Sequence, residues 1–293
     1  MYGLLVGDAL GVPYEFHVPQ NLPPPDQIEL EPPPEFRRSH WEQPPGTWSD
    51  DGSQALVLLG SLLDRGELDL DDLGARLVRW WAEGLGWVDR PFDIGNQTSD
   101  ALLALEAGVP AHRSGPAGER DNGNGSLMRV LPLALWHRGS DAELARDAAR
   151  QSLPTHGHPR SQLCCALYCL WARRIAERAP DPWQAAVDAI EAIGLHPEEL
   201  DKVLAFDRPR GSGYVVDTLH VARIALAAGS YEQVVKRAIA FGLDTDTTAA
   251  VAGGLAGLRD GVEAIPERWR AGLRGVEQVE PLLARLAARL ETQ

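Results

Sequence analysis

Cysteine is scarce in this chain of 293 residues: Cys164, Cys165 and Cys169 are all it has, and they crowd into one segment. They cannot staple distant parts together, and with no Cys-x-x-Cys pair they offer no zinc site, so they read as small buried apolar residues. Basic residues are also in deficit, 28 Lys and Arg against 42 Asp and Glu, for a formal net charge of −14. That balance excludes nonspecific binding to nucleic acid or to an anionic membrane, which needs clustered positive charge. No apolar run reaches the length of a membrane span. The opening MYGLLVGDALG lacks the basic start and unbroken apolar centre of a secretion signal, and the expectation is a soluble, cytoplasmic protein. Strand-like alternation is nearly absent, and neither a linker nor an internal repeat divides the chain.

What is present is helical periodicity. Apolar residues recur at helix spacing in LVLLGSLLDRG, LGARLVRWWAEGL, SLMRVLPLALWHRG, SQLCCALYCLWARRIAERA and PLLARLAARLE, punctuated by Gly and Pro. The pattern predicts an all-α fold of roughly a dozen helices, one domain over residues 1–293, with Trp80 and Trp81 in helix packing. Gly3, Gly7 and Gly11 fall four apart on one face of the first helix, where another backbone can approach closely. Residues 18–47 break the pattern, holding nine of the 22 prolines, and read as a stiffened loop or lid.

Two acidic clusters stand at helix starts. In GTWSDDGSQALVLLGSLL, Ser49, Asp50 and Asp51 precede an apolar helix; in FGLDTDTTAAVAGGLAGLRDG, Asp244, Asp246 and Thr247 do the same. Helix capping accounts for either cluster alone. Brought together, four carboxylates and two hydroxyls make an all-oxygen site suited to Mg²⁺ or Mn²⁺ and unsuited to zinc.

The order GDALGVPYE, WSDD, NGNGSLMR, THGHP, GSGYVVDTL, DTDTTAAVAGGLAG, spread over about residues 3 to 270, resembles the ADP-ribosylglycohydrolase family. The resemblance implies a compact, orthogonal multi-helix domain with a central dinuclear metal cleft. It implies hydrolysis of the bond joining ADP-ribose to an acceptor, with ADP-ribose or an ADP-ribosylated protein as partner. Carried over by motif, two Mg²⁺ or Mn²⁺ ions fall to Ser49, Asp50, Asp51, Asp244, Asp246 and Thr247. Ser49 replaces the family's usual Thr and keeps the hydroxyl; Leu243 stands where relatives often have Gly.

Glu15, otherwise a solvated surface residue, matches the family's acidic residue beside the metals, and with Asp50 and Asp246 forms the expected catalytic set. Asp8 suits buried hydrogen bonding as well as catalysis. Asn122, Gly123, Asn124, Gly125 and Ser126 are either a Gly-rich turn or, before a helix, a diphosphate or distal-ribose site. Gly95 and Asn96 in DIGNQT and His156 in THGHP are expected on the same cleft. Ser212, Gly213 and Tyr214 are expected to border it, Tyr214 stacking on adenine or packing in the core. Trp48 is a candidate substrate wall. Arginine on a protein is the leading acceptor, cleaved at C1″ through an oxocarbenium-like state. The alternatives are a serine or ester linkage, a two-metal phosphoesterase, or a non-catalytic ADP-ribose binder; monomer is the default state.

Overall fold

Two small-residue helices fix the frame, and the remaining helices are laid around them. The computed structural model describes residues 1–291, in which fifteen α-helices and four single 3₁₀ turns account for the regular structure. In chain order they are α1 (Tyr2–Gly11), α2 (Asp50–Arg65), α3 (Leu70–Glu83), α4 (Asn96–Glu106), α5 (Ala111–Ser114), α6 (Leu131–Trp136), α7 (Asp141–Arg150) and α8 (Pro159–Ala176). There follow α9 (Pro182–Ile193), α10 (Pro197–Leu204), α11 (Val215–Leu226), α12 (Tyr231–Ile239), α13 (Thr245–Asp260), α14 (Glu267–Gly272) and α15 (Val276–Glu291). Among the described residues there is no strand, only an isolated antiparallel bridge between Gly123 and Tyr214.

The glycine face of α1 meets α13 backbone to backbone. A methyl group on Gly3 would lie 2.3 Å from Gly253 O, one on Gly7 2.2 Å from Ala249 O, and one on Gly11 2.4 Å from Asp246 Cα. No side chain larger than hydrogen fits at these three positions. α13 is buried from Thr245 to Ala256, and α8, carrying all three cysteines, is buried along most of its length, so neither needs a polar face. The outer helices are amphipathic and firmly capped: α7 and α12 each begin with a reciprocal capping box, Ser140 with Glu143 and Ser230 with Gln233.

Residues 18–47 are irregular but anchored. The Tyr14 hydroxyl donates to Glu29 O at 2.8 Å and accepts from Glu29 N at 2.9 Å, while Ile28 and Leu30 are buried. The Glu29 carboxylate takes the Trp269 indole N–H and pairs with Arg268 at 2.9 Å, tying the loop to α14. Only its far end turns back to the cleft: Ser39 Oγ donates to Glu15 O at 2.5 Å. Trp80 is buried, whereas Trp81 is 40% exposed, so the expected pair splits between core and surface.

Candidate active site

Asp8, on α1, reaches the first turn of α2, its carboxylate accepting from Ser49 N at 2.9 Å and Gly52 N at 2.8 Å. The N-terminal cap of α2 is therefore supplied largely from another helix. Ser49 adds a weaker local bond, its Oγ accepting from Asp51 N at 3.3 Å. Asp50 and Asp51 are left free of capping duty and point toward the second cluster. The α1–α13 contact delivers that cluster, because Gly11 touches Asp246 directly. Ser49 Oγ donates to Asp51 Oδ2 at 2.9 Å, and Thr247 Oγ1 approaches the same oxygen at 3.4 Å, so the two clusters meet there.

Asp50, Asp244 and Thr247 line a cleft of about 320 Å³, with Ser49, Asp51 and Asp246 fully buried next to them, and its walls include Glu15, Phe16, Asp93, Gly95, Asn96, Gly123, Asn124, Gly125, His156 and Gly213. Burial, reinforced by the charge of Asp246, raises Asp8 to about 8; burial and Asp244 raise Asp246 to about 7. Asp50 and Asp51 are pushed well above the carboxylate range, first by burial and then by their neighbours. Glu15, 5% exposed, is pushed up to about 12 by burial and by Asp246, Asp244, Asp50 and Asp51. So many carboxyl groups cannot all be ionised together without a compensating charge.

The donor set fits divalent cations. Asp51 Oδ1 and Asp246 Oδ2 are buried without any hydrogen-bond partner, an arrangement that ordinary packing disfavours and a bound cation would satisfy. Oxygens of Asp8, Asp51 and Asp246 lie within 4.8 Å of one another, and so do oxygens of Glu15, Asp244 and Asp246. Asp246 belongs to both groups, as a carboxylate shared between two adjacent ions would. Glu119, His158 and Glu199 form another compact group, but there the Arg160 guanidinium already bridges both glutamates, each at 2.7 Å.

The other expected residues divide. Asn124 Nδ2 donates to Asp244 Oδ2 at 2.8 Å, and its backbone N to Gly213 O at 3.0 Å, lacing the Gly-rich loop to the second cluster. The His156 ring packs against that loop, a methyl on Gly125 falling 2.8 Å from its Cε1. Burial, then Arg129, lowers His156 to about 3, so its ring is neutral. The loop does not lead straight into a helix as expected. Turns fill residues 125–129 and α6 begins at Leu131, so any anion would meet loop amides, those of Gly125 and Ser126 having no acceptor among the described residues.

Several side chains turn away from the cleft. Ser126 is buried, accepting from Ser152 Oγ at 2.8 Å, and Ser212 Oγ donates to Asp217 Oδ2 at 2.5 Å. The Asn122 amide donates to Glu119 O at 2.9 Å, and its carbonyl oxygen accepts from Ser161 Oγ. Tyr214 is half-buried edge-on against Phe206, with ring centroids 5.8 Å apart, on the core side of the alternative. Trp48 is fully buried and donates to Gly86 O at 3.1 Å, so it is a core residue and no substrate wall. His158 caps α8, its Nδ1 accepting from Arg160 N.

Sequence reasoning passed over Asp93, His40, Gln54 and Arg129. Asp93 sits in the quoted DIGNQT, one signal that was available. His40 Nε2 lies 2.5 Å from Glu15 Oε2 and 3.8 Å from Asp93 Oδ1, an approach that depends on a 25-residue excursion and leaves no local trace. Arg129, in NGNGSLMR, is fully buried without a direct carboxylate partner. It donates to Gln54 Oε1 at 2.8 Å, and Gln54 in turn reaches Asp50 at 3.4 Å, a relayed positive charge behind the acidic floor.

Comparison with known proteins places this geometry. The sequence pattern of the family described as ADP-ribosylglycohydrolase matches residues 1–293. The chain is 31% identical over 98% of its length to the ADP-ribosylarginine hydrolase Tri1 of Pseudomonas putida, covering 76% of that protein. It is 30% identical over 92% of its length to the ADP-ribosyl-[dinitrogen reductase] glycohydrolase of Rhodospirillum rubrum, covering 87% of it. A solved structure, an ADP-ribosylglycohydrolase-related protein complex, superposes with a TM-score of 0.80 at 32% identity, covering 98% of this chain and 95% of the other. With the whole chain matched and its fold shared, this protein belongs to the ADP-ribosylglycohydrolase family.

Proposed function

We propose that this chain is a metal-dependent hydrolase that cleaves the N-glycosidic bond between ADP-ribose and an arginine side chain of a protein. That it is a glycohydrolase follows from its family and named relatives. The observation that carries the finer reading is the meeting of two helix-start acidic clusters beside a cleft that Asp50 and Asp244 line, with two unpartnered buried oxygens on the adjoining Asp51 and Asp246.

Ser49, Asp50, Asp51, Asp244, Asp246 and Thr247 would hold two Mg²⁺ or Mn²⁺ ions. When bound, these would supply positive charge beside the reacting ribose and fix its hydroxyls in place. The protein's own groups do the rest. Asn124 holds Asp244 in register, and Gln54, backed by Arg129, holds Asp50. His156 Nδ1 is hydrogen-bonded to Thr155 Oγ1 at 2.8 Å, which holds the ring with Nε2 facing the Gly123–Gly125 backbone where the diphosphate or distal ribose would lie. Once bound cations offset the neighbouring carboxylates, Glu15 would be ionised and would take the proton of the attacking water on a carboxylate oxygen, with His40 Nε2 2.5 Å away. The C1″–N bond lengthens toward an oxocarbenium-like state, for which an oriented water is a sufficient nucleophile; the electron pair leaves with the guanidine nitrogen, and the departing neutral guanidine regains a proton, the one lost by the water, to become the arginine guanidinium.

The test is a panel of arginine-, serine- and ester-linked ADP-ribose substrates incubated with Mg²⁺ or Mn²⁺. Free ADP-ribose released from the arginine linkage alone supports the reading. Release from another linkage moves the acceptor, and release of inorganic phosphate makes the chain a phosphoesterase. ADP-ribose binding without release from any substrate leaves a non-catalytic binder.

A further inference from the structure

Six non-glycine residues among those described adopt a positive φ: Phe16, His40, Asp93, Arg178, His196 and Leu243. Four of them gather at one side of the cleft mouth. Phe16 (φ 64°) and Leu243 (φ 60°) are locked together, Phe16 N donating to Leu243 O at 2.6 Å and Leu243 N donating to His17 O at 2.7 Å. His40 (φ 46°) sets its ring 5.5 Å from that of Phe16, and its Nε2 lies 3.8 Å from the carboxylate of Asp93 (φ 56°). Left-handed backbone at a bulky residue costs free energy and persists only where the surroundings enforce it, and such residues cluster at functional sites.

What this strain achieves is visible at Phe16. Its side chain lines the cleft next to Glu15 yet is 66% exposed; among the described aromatic residues only Trp41 is more exposed, and Trp41 does not line this cleft. The ring rests against His40 on one side, and His40 is itself backed by Phe92, with centroids 5.1 Å apart. An apolar ring held out in water beside the proton-transfer group serves a partner that covers it. With Asp50 and Asp244 assigned to metal ions and Glu15 to proton transfer, Asp93 is the remaining carboxyl group of the cleft lining, set across His40 from this ring, and the lining holds no lysine or arginine among the described residues, so a cationic acceptor meets no like charge there.

We propose that Phe16 is the acceptor platform, the exposed ring on which the planar guanidinium of the substrate arginine stacks while ADP-ribose occupies the rest of the cleft. The inference rests on the arginine reading above and adds to it a specificity-determining residue. A guanidinium over an aromatic face gains from the ring quadrupole, and its weak hydration makes the stacking cheap. A serine or ester acceptor has no such group and draws no comparable benefit.

The experiment compares wild type with Phe16→Ala and Phe16→Trp, using an ADP-ribosyl-arginine peptide for turnover and calorimetry with free ADP-ribose for binding. Phe16→Ala is expected to raise KM for the peptide about five- to thirtyfold with kcat little changed. Its affinity for free ADP-ribose and its Tm should stay at wild-type values, and Phe16→Trp should restore KM. If wild type cleaves the peptide and Phe16→Ala leaves KM unchanged, the platform is wrong while the hydrolase stands. If affinity for free ADP-ribose falls in parallel with KM, Phe16 belongs to the ADP-ribose subsite and the inference also fails. A wild type that leaves the arginine linkage intact overturns the arginine reading and the platform with it.

Discussion

Asp246 carries the most consequence of any single residue, because it touches both carboxylate groups and ends in an unpartnered buried oxygen. In metal-free protein its pKa is raised from an ordinary 3.8 to about 7 by burial and Asp244. The folded state then binds the proton more tightly than the unfolded chain does. The stability this group contributes is full below about pH 4 and is lost as pH rises through 7. With a chelator present, Asp246→Asn should therefore match wild type near pH 4 and exceed it near pH 8, read as the difference in Tm between the two proteins. A difference that shrinks with rising pH would contradict the crowding of charge at this site. Asp51 and Asp246 were legible from the sequence because each sits beside its partners in a short motif. Asp93 was signalled only by its place in DIGNQT and His40 by nothing, since their place beside Glu15 is created by chain reversal at left-handed residues that no pattern of hydrophobicity records.

At the scale of elements, the active site depends on how closely two helices approach. Gly7→Ala would place a methyl 2.2 Å from Ala249 O and push α1 off α13. A loss of about 1–3 kcal/mol in urea denaturation is expected, as for overpacked cores. A weaker Mn²⁺ affinity should accompany it, since Asp8 and Asp246 ride on the two helices. The spacing of Gly3, Gly7 and Gly11 announced this contact in advance, though not which helix would fill it. The loop of residues 18–47 was read from its prolines as a lid, but its middle is tied down through Glu29. Glu29→Ala should speed amide hydrogen exchange around residues 22–31 and cost about 1 kcal/mol or less, as partly exposed ion pairs do. Because only the far end of the loop reaches Glu15, kcat should be unchanged. A large fall in kcat would mean that the whole loop moves in turnover. The Gly-rich segment misled in a different way: NGNGS looks like a helix start, yet Gly123 and Asn124 are held by tertiary bonds to Gln97 and Gly213, and the residues that follow close into turns on Asn124 O.

Over the whole molecule, a chain with a net charge of −14 gathers Asp8, Glu15, Asp50, Asp51 and Asp246 in one buried place and must offset them there. Arg129 supplies one internal positive charge, relayed through Gln54, and divalent ions would supply the remainder. Mg²⁺ or Mn²⁺ at about a hundred times its dissociation constant should stabilise the fold by about 2.7 kcal/mol, a rise of several degrees in Tm. The rise should vanish in an Asp244→Asn, Asp246→Asn double variant. The all-α architecture was fully legible because helical periodicity runs through nearly every segment, whereas the pairing of helices that closes the cleft depends on contacts between residues more than 200 positions apart.

The most direct measurement is release of free ADP-ribose from an ADP-ribosylated arginine protein, with Mg²⁺ or Mn²⁺, after chelation, and in the double variant. The account predicts release that requires the cation, returns when it is restored and is absent in the variant. Release that persists under chelation, or in the variant, would contradict a site built on these carboxylates.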